Sequence, residues 1–335
     1  MRRLVTGAAR FFPAWTKDTH NRGFCETARQ IYDGMSAGKC ADHRERKQLG
    51  IMSVRNTVSS GWRQFAACLR LVRVALHLAY GVLLAGLLPI LNKKHRQDLL
   101  QNWSANLLCI LNIRVEPVRP GNLNRHGALI VCNHVSWLDI FILNSVCPTR
   151  FVAKAEVRNW PLIGWLSRQA QTIFIRREKR SDTIRANHLA ARGLRQSDHV
   201  AIFPEGTTTD GRQVRHFHSS LFQCAIEAGA AVCPAAIHYR DVHGKTAEAA
   251  AYIGDMTFVE SLWNILRCRS LSARISFLPE LPVMQKNRRE LAVKAHHCIA
   301  GELRRLLDDA GTAQSCGQAQ DQCFHFSPPM TDTDQ

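Results

Sequence analysis

No two cysteines in this chain are spaced C-x-x-C, although twelve occur among its 335 residues. That absence removes the commonest redox and zinc signatures. Cys68, Cys109, Cys132 and Cys233 lie instead inside apolar runs, where a free thiol behaves as a small hydrophobe. A reduced, cytosol-facing domain without disulfides is therefore expected. No metal site is expected either. The cluster His296-His297-Cys298 falls on a predicted helix, whose adjacent positions diverge by about 100° and make a poor shared ligand set. No apolar run follows the basic Met1-Arg2-Arg3, which argues against a secretory signal. No G-x-S-x-G sits between a strand and a helix, the context a nucleophile elbow requires. The only match in letters, Gly34 to Gly38, falls in a polar, weakly periodic stretch.

Acidic residues are also scarce: 27 Asp and Glu face 44 Lys and Arg, a formal net charge of +17. Such an excess attracts anionic partners, whether nucleic acid, anionic lipid headgroups or phosphorylated substrates. Charge alone does not choose among them, but no recognisable nucleic-acid-binding module appears, so nucleic acid is not an expected partner. A hydrophobic fraction of 46% excludes disorder as the main state.

Residues 1–51 are polar, mixed in charge and weakly periodic, and are expected to form a disordered extension. Residues 52–96 form an apolar, membrane-associating helical segment. Its stretch from Val74 to Asn92 carries no formal charge over 19 residues. As a helix it would reach about 28 Å against a hydrocarbon core of roughly 30 Å. Lys93-Lys94-His95-Arg96 follow, suited to lipid phosphates. A single span, a helix lying in the interface and an amphipathic helix packed on the domain all remain open.

From 97 to 310 apolar strand-like runs alternate with helical periodicity. Strands are expected at 128–132, 150–153, 172–175, 199–203, 231–238, 250–253 and 273–278. Helices are expected at about 97–112, 138–146, 161–170, 182–196, 219–229, 258–267 and 288–309. This alternation predicts an α/β domain: a mostly buried mixed sheet flanked by helices, preceded by the apolar helical segment. The tail 311–335, rich in Gln, Ser, Pro and Asp without Lys or Arg, is expected to be disordered.

Asn133-His134-Val135-Ser136-Trp137-Leu138-Asp139 directly follows an expected strand. His134 and Asp139 would diverge by about 140° within one helix. They meet if His134 lies in the strand-to-helix loop and Asp139 in the first helical turn. Asp139 would then orient one imidazole nitrogen and leave the other to take a proton. A structural alternative is a capping box, Ser136-x-x-Asp139, which accounts for Ser136 and Asp139 but not for His134.

Phe203-Pro204-Glu205-Gly206-Thr207-Thr208-Thr209-Asp210-Gly211 also follows an expected strand. Gly206 permits close backbone approach to a ligand, and three hydroxyls can donate to anionic oxygen. A turn with a Thr N-cap is the structural alternative. Glu205, a poor phosphate ligand by charge, orders the loop or bonds a substrate hydroxyl. Arg176 and Arg177 end a third strand, where Arg either grips phosphate or forms a solvated edge. Pro234 interrupts an apolar run and reads as a strand start, edge or bulge.

Together these segments resemble the glycerolipid acyltransferase family typified by 1-acylglycerol-3-phosphate acyltransferases. Asn133, His134 and Asp139 meet its N-H-x-x-x-x-D motif. Phe174, Ile175 and Arg177 meet G-x-x-F-I-x-R; Phe203 to Thr207 meet F-P-E-G-T-R; Pro234 meets the fourth motif. The likeness covers roughly residues 60–280. Two positions depart from it: Gln171 replaces Gly, and Thr208 replaces Arg. Arg212, Arg215 or Arg176 would compensate for that Arg, or the headgroup is not a phosphomonoester. The run Thr207 to Gly211 looks like a bacterial branch that includes enzymes acylating lyso-ornithine lipid.

The resemblance implies acyl transfer from acyl-CoA or acyl carrier protein to the free hydroxyl of 1-acylglycerol-3-phosphate, giving phosphatidate. Lyso-ornithine lipid or another lysolipid is the alternative acceptor, and lipid hydrolysis the alternative reaction. His134 would act as base beside Asp139, with Arg176, Arg177, Glu205, Gly206 and Thr207 holding the acceptor and no cofactor required. The oxyanion would be met by backbone N–H groups near Ser136. The implied location is the cytoplasmic face of the inner membrane, with membrane lipids as further partners.

Overall fold

The computed structural model describes residues 46–119, 127–176, 178–284 and 287–322. It divides the chain into Met1–Ser59 and Ser60–Gln335. Of the first unit only a helical stretch from Arg46 is described, so most of the extension expected over residues 1–51 lies outside the described residues. The second unit carries the fold.

Seven strands form one sheet: β1 (Ile113–Arg119), β2 (Leu129–Cys132), β3 (Thr149–Lys154), β4 (Ile173–Ile175), β5 (His199–Ile202), β6 (Val232–Arg240) and β7 (Leu271–Phe277). Their spatial order is β1-β7-β6-β2-β5-β3-β4. All neighbouring pairs are parallel except β6 with β7, so the sheet is mixed. Eight helices are described: α1 (Arg46–Leu87), α2 (Lys93–Ile110), α3 (Leu138–Val146), α4 (Ile163–Gln169), α5 (Arg180–Arg195), α6 (Gln223–Ala228), α7 (Phe258–Arg267) and α8 (Arg288–Gln322).

Side chains alternate across each strand, so one strand feeds two cores. Ile130 and Cys132 of β2 join Cys233, Ala235 and Ile237 of β6 under α2, α3 and α7. Leu129 and Val131 join Val200 and Ile202 of β5 under α5, α6 and α8. With both faces covered, the central strands read as continuous apolar runs, which is why they are visible in the sequence. The buried Cys147 and Cys224 belong to these cores, and burial pushes their thiols up to about 11 and about 12.

Three expectations change. The run 250–253 is not a strand: a 3-10 turn at Glu248–Ala250 leads into irregular chain. Ala250 and Ala251 are buried, but Tyr252 pairs with loop residues, its N–H donating to Val135 O at 3.0 Å. An edge strand, β1, was not expected; charges and Pro117 break its apolar pattern, as an edge position tolerates. At the C-terminal end α8 runs to Gln322, past Gly311 where composition predicts loss of order.

Pro234 sits inside β6 at a break in the β6–β7 ladder. Pairing passes from Ala235↔Phe277 to Val232↔Leu281, three steps on one strand against four on the other. Pro, which lacks an N–H, fits this irregularity.

Helix α1 has two faces. Ala67, Val74, His77, Gly81 and Ala85 are buried along one stripe, which Leu88 in the following 3-10 turn continues. Polar ties hold that stripe to the domain. Arg70 donates to the carbonyls of Leu266 and Cys268 at 3.1 and 2.7 Å. The His77 ring stacks on Trp103 with centroids 4.8 Å apart, and Trp103 Nε1 donates to His77 O at 3.3 Å. A Cβ at Gly81 would lie 2.6 Å from Trp103 Nε1, so this crossing requires glycine. The other face exposes Phe65, Leu69, Val72, Leu76, Leu83 and Leu87, at the spacing of a single helical stripe. Gln64–Ile90 is long and apolar enough to cross a membrane, with mean hydropathy 1.9. It packs side-on against the domain and leaves an apolar outer face.

Candidate active site

The sheet changes direction at β2. Chain leaving β2 crosses by α3 to β3 on one side, whereas β5 connects back to β6 on the other. In open α/β sheets the crevice beside such a switch, at the carboxyl ends of the strands, is where ligands bind. Here three strand ends converge: the loop after β2 with His134, the loop after β5 with Glu205, and the end of β6 with Tyr239.

Asn133 shapes the turn out of β2. Its amide donates to Ile237 O at 3.0 Å and accepts from Ile237 N at 2.8 Å. A side chain thus continues the β2–β6 ladder for one step while the backbone turns away. His134 follows, outside α3, and Asp139 lies in the first turn of that helix. The structure brings the two together: His134 Nδ1 lies 2.7 Å from Asp139 Oδ2. Val135 N and Ser136 N donate to the same oxygen at 2.8 and 3.0 Å. Tyr239 Oη donates to the other oxygen, Oδ1, at 2.6 Å.

Asp139 is fully buried, and burying a carboxylate is costly unless it is hydrogen-bonded. Four donors meet that need. The capping interpretation and the orienting one therefore describe the same carboxylate. Asp139 takes the Ser136 N–H as a cap would, but the reciprocal arm is missing, because Ser136 Oγ is buried without a partner among the described residues. Burial, the Asp139 charge and the hydrogen bond to it push the Tyr239 phenol well above its usual range, so it stays a proton donor.

His134 is gripped on its backbone by the loop after β5. Its N–H donates to Glu205 Oε1 at 2.8 Å, and its carbonyl accepts from Thr209 N at 2.8 Å and Thr209 Oγ1 at 3.2 Å. Phe203 stacks on the imidazole, centroids 4.0 Å apart and planes 13° from parallel. The ring is thus fixed in plane and rotation. Its side chain is 20% exposed, and Nε2 has no partner among the described residues.

Glu205 spends its second oxygen on Arg215 N at 2.8 Å. Both oxygens being occupied by backbone donors, its place is to order the loop. Burial raises its carboxyl pKa, against the lowering effect of those two donors. Gly206 follows at φ +81°, a conformation that favours glycine, and Thr207 is exposed next to it.

Arg177 lies outside the described residues. Arg176 is exposed and pairs with Asp182 at 2.6 Å. Thr208, in the place of the expected Arg, donates its hydroxyl to Tyr252 O. Of the proposed substitutes, Arg212 is engaged by Glu248 at 2.9 Å, and Arg215 contributes its backbone N–H to Glu205. Of the N–H groups near Ser136 expected to meet an oxyanion, those of Val135 and Ser136 both serve Asp139. His296 of the His/Cys cluster contacts Val214 O at 3.3 Å. Tyr239 was missed; its only signal is a phenol at the far end of a buried strand, 100 residues from its partner.

Known proteins similar to this chain are acyltransferases. Residues 113–238 match the family model described as Acyltransferase. The chain is 40% identical over 235 residues to the lyso-ornithine lipid O-acyltransferase of Pseudomonas aeruginosa, covering 70% of this chain and 90% of that protein. It is 37% identical over 172 residues to a 1-acyl-sn-glycerol-3-phosphate acyltransferase of Neisseria meningitidis, covering 51% of this chain and 67% of the relative. The crystal structure of the 1-acyl-sn-glycerophosphate (LPA) acyltransferase of Thermotoga maritima is similar with TM-score 0.49 and 18% identity, over 71% of this chain and 97% of that one. A buried carboxylate aiming an imidazole from a strand-end crevice, in a chain so closely related to O-acyltransferases of lysolipids, leads to one assignment: the chain belongs to the acyltransferase family.

Proposed function

We propose that this chain transfers a fatty acyl group from a thioester, acyl-CoA or acyl carrier protein, to the free hydroxyl of a lysolipid. One observation carries the reading: His134 Nδ1 is held at 2.7 Å by a buried carboxylate, while Nε2 of the partly exposed ring has no partner among the described residues. Nε2 accepts the acceptor's hydroxyl proton as that oxygen attacks the thioester carbon. The C–S bond then breaks, and the departing sulfur takes the proton back from the imidazolium. Asp139 stabilises the charged ring in between. A thioester is already activated, so no covalent enzyme intermediate is required.

For the acceptor, lyso-ornithine lipid is the favoured reading. Thr208 stands where the resemblance puts a phosphate-binding Arg, and its hydroxyl is committed to Tyr252. The relative at 40% identity bears that activity in its name. The second reading, 1-acylglycerol-3-phosphate giving phosphatidate, is favoured by the Neisseria relative. The outer face of α1 rests in the cytoplasmic leaflet of the inner membrane, which spares the acceptor's chain a cost of about 0.8 kcal/mol per methylene drawn into water. The deciding experiment gives the purified chain a radiolabelled acyl donor with each lysolipid in turn. Acylated lyso-ornithine lipid is expected. Free fatty acid released without any acceptor would indicate a hydrolase instead, and absence of both products would refute the reading.

A further inference from the structure

The edge strand β4 borders a cavity of about 720 Å³ on the side of the sheet away from β1. Six arginines line it, Arg150, Arg158, Arg168, Arg176, Arg185 and Arg192, with only Glu156 and Asp182 as lining carboxylates. Arg150 is paired with Asp198 at 2.5 Å and Arg176 with Asp182 at 2.6 Å. Arg158, Arg168, Arg185 and Arg192 have no ion-pair partner among the described residues. Four like charges facing one concavity repel each other, and the arrangement is relieved when an anion enters. Guanidinium groups match phosphate in particular, through paired N–H donors. None of these four belongs to the segments that carry His134 or the loop after β5.

The cavity also stands in a defined relation to His134. Strands β2, β5, β3 and β4 are adjacent and parallel, so their carboxyl ends share one edge of the sheet. Ala155, Glu156 and Arg158 follow β3 and Arg176 follows β4, so one end of the cavity lies on the same edge as His134, while Arg150, Thr172, Arg192 and Gln196 line its other end, toward the amino ends of the strands. Three inter-strand spacings separate β2 from β4, about 14 Å. A pantetheine arm, comparable to four or five extended residues, spans roughly 15 Å.

We infer that this cleft holds the phosphate-bearing nucleotide of coenzyme A, so that the pantetheine arm delivers the thioester to His134. The inference rests on the acyl-transfer reading above. The volume falls within the usual range of small-molecule sites, roughly 300–1,000 Å³, and its concave shape suits a nucleotide better than the surface of a folded carrier protein. The three phosphate groups of 3′-phosphoadenosine diphosphate meet these four guanidiniums, of which Arg168 also donates to Arg158 O at 3.4 Å.

Isothermal titration of free coenzyme A into the full chain in detergent tests this. The wild type is expected to bind, 3′-dephospho-coenzyme A more weakly. Arg158→Gln/Arg168→Gln/Arg185→Gln/Arg192→Gln should weaken binding by about tenfold or more, and the pair Arg185→Gln/Arg192→Gln by a smaller factor. The pair, on the exposed side of α5, guards against a folding defect in the fourfold variant. His134→Ala should bind as the wild type does. Equal affinity in wild type and both variants, or no binding by the wild type, overturns the assignment. So does a raised KM for the lysolipid with an unchanged KM for the donor, which would make the cleft an acceptor site. Loss of binding to anionic vesicles with coenzyme A binding intact would also overturn it, in favour of a lipid-surface patch. Transfer from acyl carrier protein without any coenzyme A binding sinks this inference and leaves acyl transfer standing. Coenzyme A held by the arginines with no transfer to any lysolipid does the reverse.

Discussion

Tyr239 donates its phenol proton to Asp139 Oδ1 at 2.6 Å, across 100 residues of sequence, while Oδ2 of the same carboxylate faces His134. The two oxygens divide the work: one is anchored to the sheet, the other aims the imidazole. Tyr239→Phe leaves a buried carboxylate oxygen without its donor, at a cost of about 1–3 kcal/mol in stability. With Asp139 less firmly placed, kcat should fall while KM for either substrate stays near wild type. Denaturant unfolding and steady-state kinetics measure the two. Wild-type values in both would remove Tyr239 from the site.

His134→Ala should lower kcat by about 10²- to 10⁴-fold, the usual worth of a positioned base, with no loss of secondary structure. Asp139→Asn places an amide N–H₂ where imidazole and backbone N–H groups converge, and should lose activity by roughly 10²-fold or more with reduced stability. Kinetics on folded protein, checked by circular dichroism, measures both. A folded His134→Ala enzyme turning over normally contradicts the base assignment.

His238 gives the fold an acid-sensitive element away from the reaction. Burial, assisted by Arg240 and Arg274, depresses its pKa to about 4, and its Nδ1 is buried without a partner among the described residues. The unfolded ring titrates near 6.5. Between the two values the unfolded state binds more protons, so stability is fully present above about pH 6.5 and falls as pH drops toward 4. The size is on the order of 3 kcal/mol. Thermal unfolding from pH 7.5 to 4 should show the decline, and His238→Gln should flatten it. An unchanged slope in the variant would assign acid sensitivity elsewhere.

Leu76 and Leu83 are 67% and 73% exposed on the outer stripe of α1. Leu76→Lys/Leu83→Lys removes about 1.5–3 kcal/mol of apolar burial per site at a lipid surface. Vesicle co-sedimentation should fall by tenfold or more with thermal stability unchanged. Undiminished sedimentation would show that this face does not meet lipid.

How far the sequence reveals this molecule depends on the range over which each contact acts. His134 and Asp139 lie five residues apart, and the geometry that joins them, a loop followed by one helical turn, is local. Sequence spacing therefore exposes it. Central strands buried on both faces announce themselves as apolar runs, and α3 and α7 fall on the residues their periodicity predicts. Tyr239 is hidden because its contact depends on β6 lying beside β2, which no local pattern encodes. Glu205 shows the other limit. A conspicuous carboxylate beside Gly206 looks like a substrate ligand, yet its partners are two backbone amides, one of them ten residues downstream. The 250–253 run misleads for a related reason: small apolar residues report burial, not the identity of the backbone partner.

Gly81 pressed against the indole of Trp103 fixes more than a local fit. A helix held at that crossing, and tied by Arg70 further along, is unable to roll about its own axis, so the greasy side always points the same way relative to His134. On the proposed membrane-bound reading, each landing on a bilayer presents the His134 ring in a single attitude.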